Sequence, residues 1–189
     1  TLIDYVRQVL PDRLIEDGER LPLQGWDLRA VHTPGHSPGH LCFHDPTRRV
    51  LLSGDHVLPR ITPNIAVHTQ SAGNPLAEFL DSLVRVAALD AAVDEVLPAH
   101  EYRFRGIAAR AGVLLDHHDE RLAEIVAAAA TGRTTWQLTE ALTWSRPWGE
   151  IAGFMRRAAV SETLAHLVFL ESQGRLLRTT DIPWRWRPS

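Results

Sequence analysis

From Arg13 to Asp55 the chain alternates short apolar and polar runs broken by Gly and Pro, a texture that predicts β-strands. The strand-like pieces are RLIE (13–16), DGERLPLQG (17–25), WDLRAVHT (26–33), HLCFH (40–44) and RVLLSGD (49–55). Within HLCFH the period of two sends Leu41 and Phe43 to one face and His40, Cys42 and His44 to the other. DPTRR (45–49) reads as a turn, so 40–54 is expected to be a hairpin. Ahead of these runs, residues 2–10 read as a short helix stopped by Pro11. After them, 56–73 reads as an irregular loop, and a loop of that length in a compact domain usually serves function.

The pattern then shifts to the helical period. Leu76, Phe79, Leu80, Leu83, Val86 and Ala87 form one stripe, predicting a helix over 75–90 with Asn74 as its cap and Pro75 in its first turn. VDEVLPAH (93–100) reads as a strand running into a polar loop. A long helix is expected over about 106–130, closed by Gly132. Beyond it, Thr134 or Thr135 caps a helix over 135–143. A tryptophan-rich link (144–150), a helix over 155–172 ending at Gly174, and a short strand RLLRT follow. Helix, turn, longer helix and β-ribbon is the order of a winged helix-turn-helix. The expected organisation is therefore α+β, with residues 1–130 as one domain and 131–189 as a winged-helix-like second.

Composition narrows the classes. The 189 residues suffice for one ample domain or two small ones, and no run of 18 apolar residues predicts a membrane span. A lone cysteine, Cys42, excludes an internal disulfide framework, suits a reducing cytoplasm and reads as a buried small hydrophobe. The net charge of -3 divides unevenly, with -6 over residues 1–130 and +3 over 131–189. A basic tail keeps an anionic partner open, whereas the acidic body favours a small-molecule substrate.

Candidate chemistry lies in three segments, HTPGHSPGH (32–40), SGDH (53–56) and PAHEY (98–102). Each follows a strand-like run, so each sets His or Asp at a strand end, where side chains converge on one rim of a sheet. Imidazole nitrogen with carboxylate oxygen and no thiolate suits Zn, Fe or Mn.

These segments resemble the metallo-β-lactamase superfamily, in particular its glyoxalase-II-like and endoribonuclease-like branches, over nearly the whole chain. The resemblance implies the C-terminal part of an αββα sandwich followed by a winged helix. It implies His36 as a ligand of a first metal, Asp55 as the bridging carboxylate and His100 as a ligand of a second. His40 corresponds to a position that braces the ligand loop, and His56, next to the bridging Asp, either faces the site or stacks beneath it. The implied chemistry is hydrolysis by a metal-activated water at an ester, thioester, lactam or phosphodiester, with two zinc ions expected. No side chain here is required as nucleophile.

One departure is large. The family's His-x-His-x-Asp-His signature has no counterpart in residues 1–35, so the expectation is a truncated, inactive piece holding metal partially or not at all. An exposed sheet edge would then favour a homodimer.

Several residues carry bland readings beside sharp ones. Trp136, Trp144 and Trp148 are read as packing groups before a base-stacking platform, and Arg156 and Arg157 as a solvated helix face before a phosphate contact. His117 and His118 are expected on a solvated face of the long helix. His44, His68 and His166 receive no role. The competing functions are a hydrolase, a nucleic-acid-binding or endoribonuclease-like protein using the winged helix, and a non-catalytic member acting in protein interaction.

Overall fold

The computed structural model describes residues 11–67 and 73–189; the expected helix over 2–10 and His68 lie outside them. Among the described residues seven strands and four helices follow one another as β1 (Arg29–His32), β2 (Leu41–Asp45), β3 (Val50–Gly54), α1 (Pro75–Ala87), β4 (Glu95–Pro98), α2 (Ile107–Ala128), β5 (Arg133–Thr134), α3 (Thr135–Ala141), α4 (Gly153–Ser172), β6 (Leu176–Arg178) and β7 (Arg185–Pro188). The fold is α+β, as the period changes predict.

The first sheet has the order β1-β2-β3-β4. Its first two pairings are antiparallel, and β3 pairs with β4 in parallel across the α1 crossover. The hairpin 40–54 forms as expected, with Asp45 capping its turn by accepting the Thr47 and Arg48 amides at 2.9 Å each. The segment 13–28 departs from expectation. It contributes only an isolated Arg20–Arg29 bridge and a few backbone bonds beside β1, such as Gly18 N–H to the Ala30 carbonyl at 2.9 Å. Its Gly and Pro residues punctuate it too often for a ladder to propagate.

The period of two in the hairpin holds, and the buried side is the one carrying Cys42 and His44. That face also presents Leu51 and Val96, and it packs with Leu76, Phe79, Leu83 and Val86 of α1 and with Ile107, Ala111 and Leu114 of α2. Burying the four α1 side chains contributes about 1.5–3 kcal/mol each. On the opposite face Leu41, Phe43, Leu52 and Leu97 are only partly buried, although all four are apolar.

Helix signals in the sequence place the remaining elements closely. Asn74 Oδ1 accepts the Ala77 amide at 3.2 Å, capping α1. Thr134 and Gln137 form a reciprocal capping box at the start of α3. Strands β5, β7 and β6 form a second, antiparallel sheet. Trp186 of β7 is fully buried there, its indole N–H donating to Thr135 Oγ1 at 3.0 Å. The pattern of the sequence does not announce β5 or β7, because two- and four-residue strands rich in Arg and Pro leave no alternation to read. The buried core runs on without a break from the first sheet to Leu167, Leu170, Leu176 and Trp186.

Candidate metal centre and adjoining cavity

The loop from Thr33 to His40 joins β1 to β2 and is pinned against α1. The Pro34 carbonyl accepts the Ser82 hydroxyl at 2.9 Å, and Gly35 lies so close to Phe79 that a Cβ on it would stand 2.4 Å from the Phe79 Cβ. Gly35 also has φ 132, outside the range of L side chains. Glycine is thus demanded twice at this position, and it lets the loop bring His36 to the rim of the sheet.

The tautomer of His36 follows from its partner. Its Nδ1 lies 3.0 Å from the Asn64 carbonyl, which can only accept. The proton therefore sits on Nδ1, and Nε2 keeps its lone pair, the state a metal-ligating histidine takes when a backbone carbonyl orients it.

His40 is fixed in the same way, and to a different end. The Asp55 amide donates to His40 Nε2 at 3.2 Å, so Nδ1 must carry the proton toward Thr33 Oγ1 at 2.8 Å. The order continues with the Thr33 hydroxyl to Cys42 Sγ at 3.4 Å and the Cys42 thiol to the Ser53 carbonyl at 3.5 Å. Five polar groups are joined by four hydrogen bonds along one line, and both ring nitrogens of His40 are used in bracing. Burial, with the His36 ring beside it, lowers the His40 pKa. Gly54 is required here too, since a Cβ would come within 2.7 Å of His40 Nε2.

Asp55 follows β3, and His100 follows β4. The parallel pairing of those strands brings His100 Nε2 to 3.1 Å from Asp55 Oδ1. That oxygen is buried and makes no hydrogen bond of acceptable angle. Burying a carboxylate oxygen without a partner is costly, and a shared cation resolves it. Two donor atoms, each about 2.0–2.2 Å from one tetrahedral zinc, stand roughly 3.3 Å apart. The donor set thus fits a divalent metal. Among the described residues, however, no three His, Cys, Asp or Glu side chains gather closely enough to hold an ion. Asp55 and His100 meet, and His36 approaches by way of His40, whose ring centre is 6.5 Å from its own.

His56 lies beneath the site. Its ring is fully buried between His40, at 5.9 Å, and Phe79, at 5.0 Å, and neither nitrogen finds a hydrogen-bond partner. Burial and the His40 ring push its pKa down to about 3. Next to His100, Glu101 takes a left-handed backbone (φ 69). Its carboxylate ties the strand end to the following loop, accepting Arg60 Nε at 3.0 Å and the Arg60 amide at 3.1 Å.

The solvated face expected for His117 and His118 holds only in part. His118 is 1% exposed because α4 covers it, and its Nδ1 is 3.0 Å from His166 Nε2. Arg156 is likewise engaged: its guanidinium lies over Trp148 at 5.0 Å and donates to the Trp148 carbonyl. Trp136 and Trp144 both pack against Trp148.

A cavity of about 650 Å³ opens between residues 60–64, α2, the tryptophan link and α4. Asn64, Arg121, Trp144, Met155 and Glu162 are among its walls. Sequence reasoning reaches Asn64 only as part of the loop 56–73, expected to line the pocket, and Trp144 only as a packing or base-stacking group; Arg121, Met155 and Glu162 it does not single out. Asn64 acts on His36 through its carbonyl, which no side-chain pattern reveals. A more open depression of about 460 Å³, near Gly132, Gln137 and Arg185, contains none of the candidate ligands.

Residues 3–100 match the family described as "Metallo-beta-lactamase superfamily". The chain belongs to that superfamily. It is 34% identical over 134 residues to the lactamase-like protein vrtG of Penicillium aethiopicum, an alignment covering 69% of this chain and 40% of that protein. It is 39% identical over 88 residues to the atrochrysone carboxyl ACP thioesterase AgnL7 of Paecilomyces divaricatus, covering 47% of this chain and 25% of that one. The metallo-beta-lactamase family protein TTHA1429 of Thermus thermophilus superposes with a TM-score of 0.82 at 34% identity, over 97% of this chain and 55% of its own. That superposition takes in both sheets. The chain therefore spans about two-fifths of the length of vrtG and little more than half of the Thermus structure. Among the described residues no helix is long and apolar enough to cross a membrane.

Proposed function

We propose that this chain supplies His36, Asp55 and His100 to a dinuclear zinc centre of a hydrolase whose remaining ligands come from residues outside it. The observation that carries the reading is the buried, unpartnered Asp55 Oδ1 beside His100 Nε2, together with the lone pair left on His36 Nε2. A divalent cation, when bound, supplies an acidified water and positive charge beside the developing oxyanion. This chain's residues do the holding. Asn64 aims His36, His40 anchors the Asp55 backbone, and Glu101 ties the loop beginning at Arg60 to the strand end bearing His100. No side chain here is assigned as nucleophile or general base.

Thioesters are the favoured substrates. The thioesterase AgnL7 is a relative, and the cavity beside His36 is a mainly apolar recess rather than an open basic stripe. In such a reaction water adds at the acyl carbon, the C–S bond breaks, and the thiol leaves with a proton. The half-buried Leu41, Phe43, Leu52 and Leu97 face receives a further layer, from other residues of the whole protein or from a second copy of this chain. A cytoplasmic location suits the single, buried Cys42.

A second reading rests on the C-terminal residues. Helices α3 and α4 followed by the β6–β7 hairpin have the order of a winged helix, and residues 131–189 carry a net +3. This reading makes 131–189 a nucleic-acid-binding domain. Parallel assays of the whole protein on acyl thioesters and on single-stranded RNA discriminate between them. Zinc-dependent thioester hydrolysis without RNA cleavage supports the first reading, and the reverse supports the second.

A further inference from the structure

The 650 Å³ cavity falls within the range of small-molecule sites, roughly 300–1,000 Å³. Its position relates it to the metal centre, because Asn64 both lines it and holds His36 Nδ1 at 3.0 Å. Its texture is mainly apolar, with Ile151, Ala158 and Ala159 in the wall. Two further apolar lining residues stand largely in water, Ile61 at 50% and Met155 at 61% exposure. Leaving such surface wet forgoes about 25 cal/mol per Å², and an apolar ligand would recover it.

The polar groups around the cavity argue against a charged occupant. Arg121 is committed to Glu124 at 2.7 Å and to the Thr143 carbonyl at 2.7 Å, and it stacks on Trp144 at 4.9 Å. Arg60 is committed to Glu101. The Trp144 indole N–H already donates to the Thr139 carbonyl at 2.8 Å. Glu162 accepts the Asn64 side-chain amide at 2.8 Å, and burial raises its pKa toward the uncharged acid. Arg146 and Glu150, opposite in sign, complete the charged part of the wall, and the rest is a mainly apolar chamber that shares Asn64 with a metal ligand.

We propose that this cavity holds the acyl portion of the substrate, and that this portion is bulky, uncharged and largely apolar, a medium-length chain or a flat ring system. The proposal rests on the thioester hydrolase reading and names the substrate class for that same site.

Two measurements test it, one independent of catalysis. 1-Decanol and ethanol, both uncharged, are titrated into the chain by calorimetry, with Ala158→Trp filling the cavity and Met155→Glu placing a charge at its mouth. Thermal melts establish that both variants fold. The expected result is decanol binding that weakens about 30-fold in both variants, with no measurable ethanol binding. In the whole protein, Ala158→Trp is expected to lower kcat/KM about 30-fold on a decanoyl thioester and by less than about 3-fold on an acetyl thioester. Equal loss on both thioesters, unchanged decanol binding in folded variants, or displacement of decanol by single-stranded RNA overturns the proposal. A whole protein inert to both thioesters, with decanol binding that still depends on Ala158 and Met155, defeats the hydrolase reading while leaving the cavity's ligand class standing.

Discussion

The buried His118–His166 pair joins α2 to α4, and its protonation follows from one acceptor. His166 Nδ1 is 2.9 Å from the Glu162 carbonyl, so the proton sits there and Nε2 is left to accept. His118 Nδ1 must then donate to it at 3.0 Å, leaving His118 Nε2 buried with no partner. Neither ring has an acceptor for a second proton, since His118 Nε2 has no partner and His166 Nε2 faces the proton of His118. Burial, and the rings and Arg121 around them, hold both pKa values well below the usual histidine range.

The perturbation is acid. Above about pH 6.5 the pair is neutral in both folded and unfolded chains, and its contribution is fully present. Below that value the unfolded chain takes up protons that the folded one refuses, so stability falls until the folded pKa values are reached. Each histidine contributes a slope of about 1.4 kcal/mol per pH unit, so the pair loses about 2.5 kcal/mol between pH 7 and 5.5. Urea unfolding at those two pH values measures the loss. The double variant His118→Phe/His166→Leu removes both titrating groups together and should show a pH loss smaller by about that amount. A double variant that folds and keeps the wild-type pH dependence refutes the reasoning.

Two further outcomes follow from particular contacts. Gly35→Ala combines a forbidden φ with overlap against the Phe79 Cβ and backbone, and it should destabilise the chain by about 3–5 kcal/mol; a loss under about 1 kcal/mol in urea unfolding would show that the loop does not press on α1. Cys42 is fully buried and its thiol is pushed up to about 12 by burial. It should therefore resist a thiol-reactive dye at pH 8 until denaturant is added, and rapid labelling of the native chain would contradict the Thr33–Cys42–Ser53 packing.

What the sequence made legible divides by physical cause. Asn74, Pro75 and the Thr134–Gln137 box act locally, and their helices begin where those residues require. The hairpin alternation is readable, but which side faces the core is not. Cys42 and His44 lie inward although Leu41 and Phe43 are more apolar, because the helices cover only one face of the sheet. Proximity of Asp55 and His100 is expected from two strand ends, and it requires the parallel β3–β4 pairing, a long-range event. The solvated reading of His118 fails because α4 folds back over α2, some 48 residues later in the chain. The particular roles of Asn64, within the loop 56–73 expected to serve function, and of Glu162 escape for the same reason: each matters through what a distant segment brings to it.

The central claim is that His36, Asp55 and His100 hold metal. An anomalous-difference map at the zinc edge, from crystals of the zinc-loaded whole protein, tests it most directly. The account predicts two peaks about 3.5–4 Å apart, with His36 Nε2 and His100 Nε2 on different ions and Asp55 Oδ atoms touching both. Tightly bound zinc at a place remote from these three side chains, with Asp55 Oδ1 still unpartnered, would contradict it.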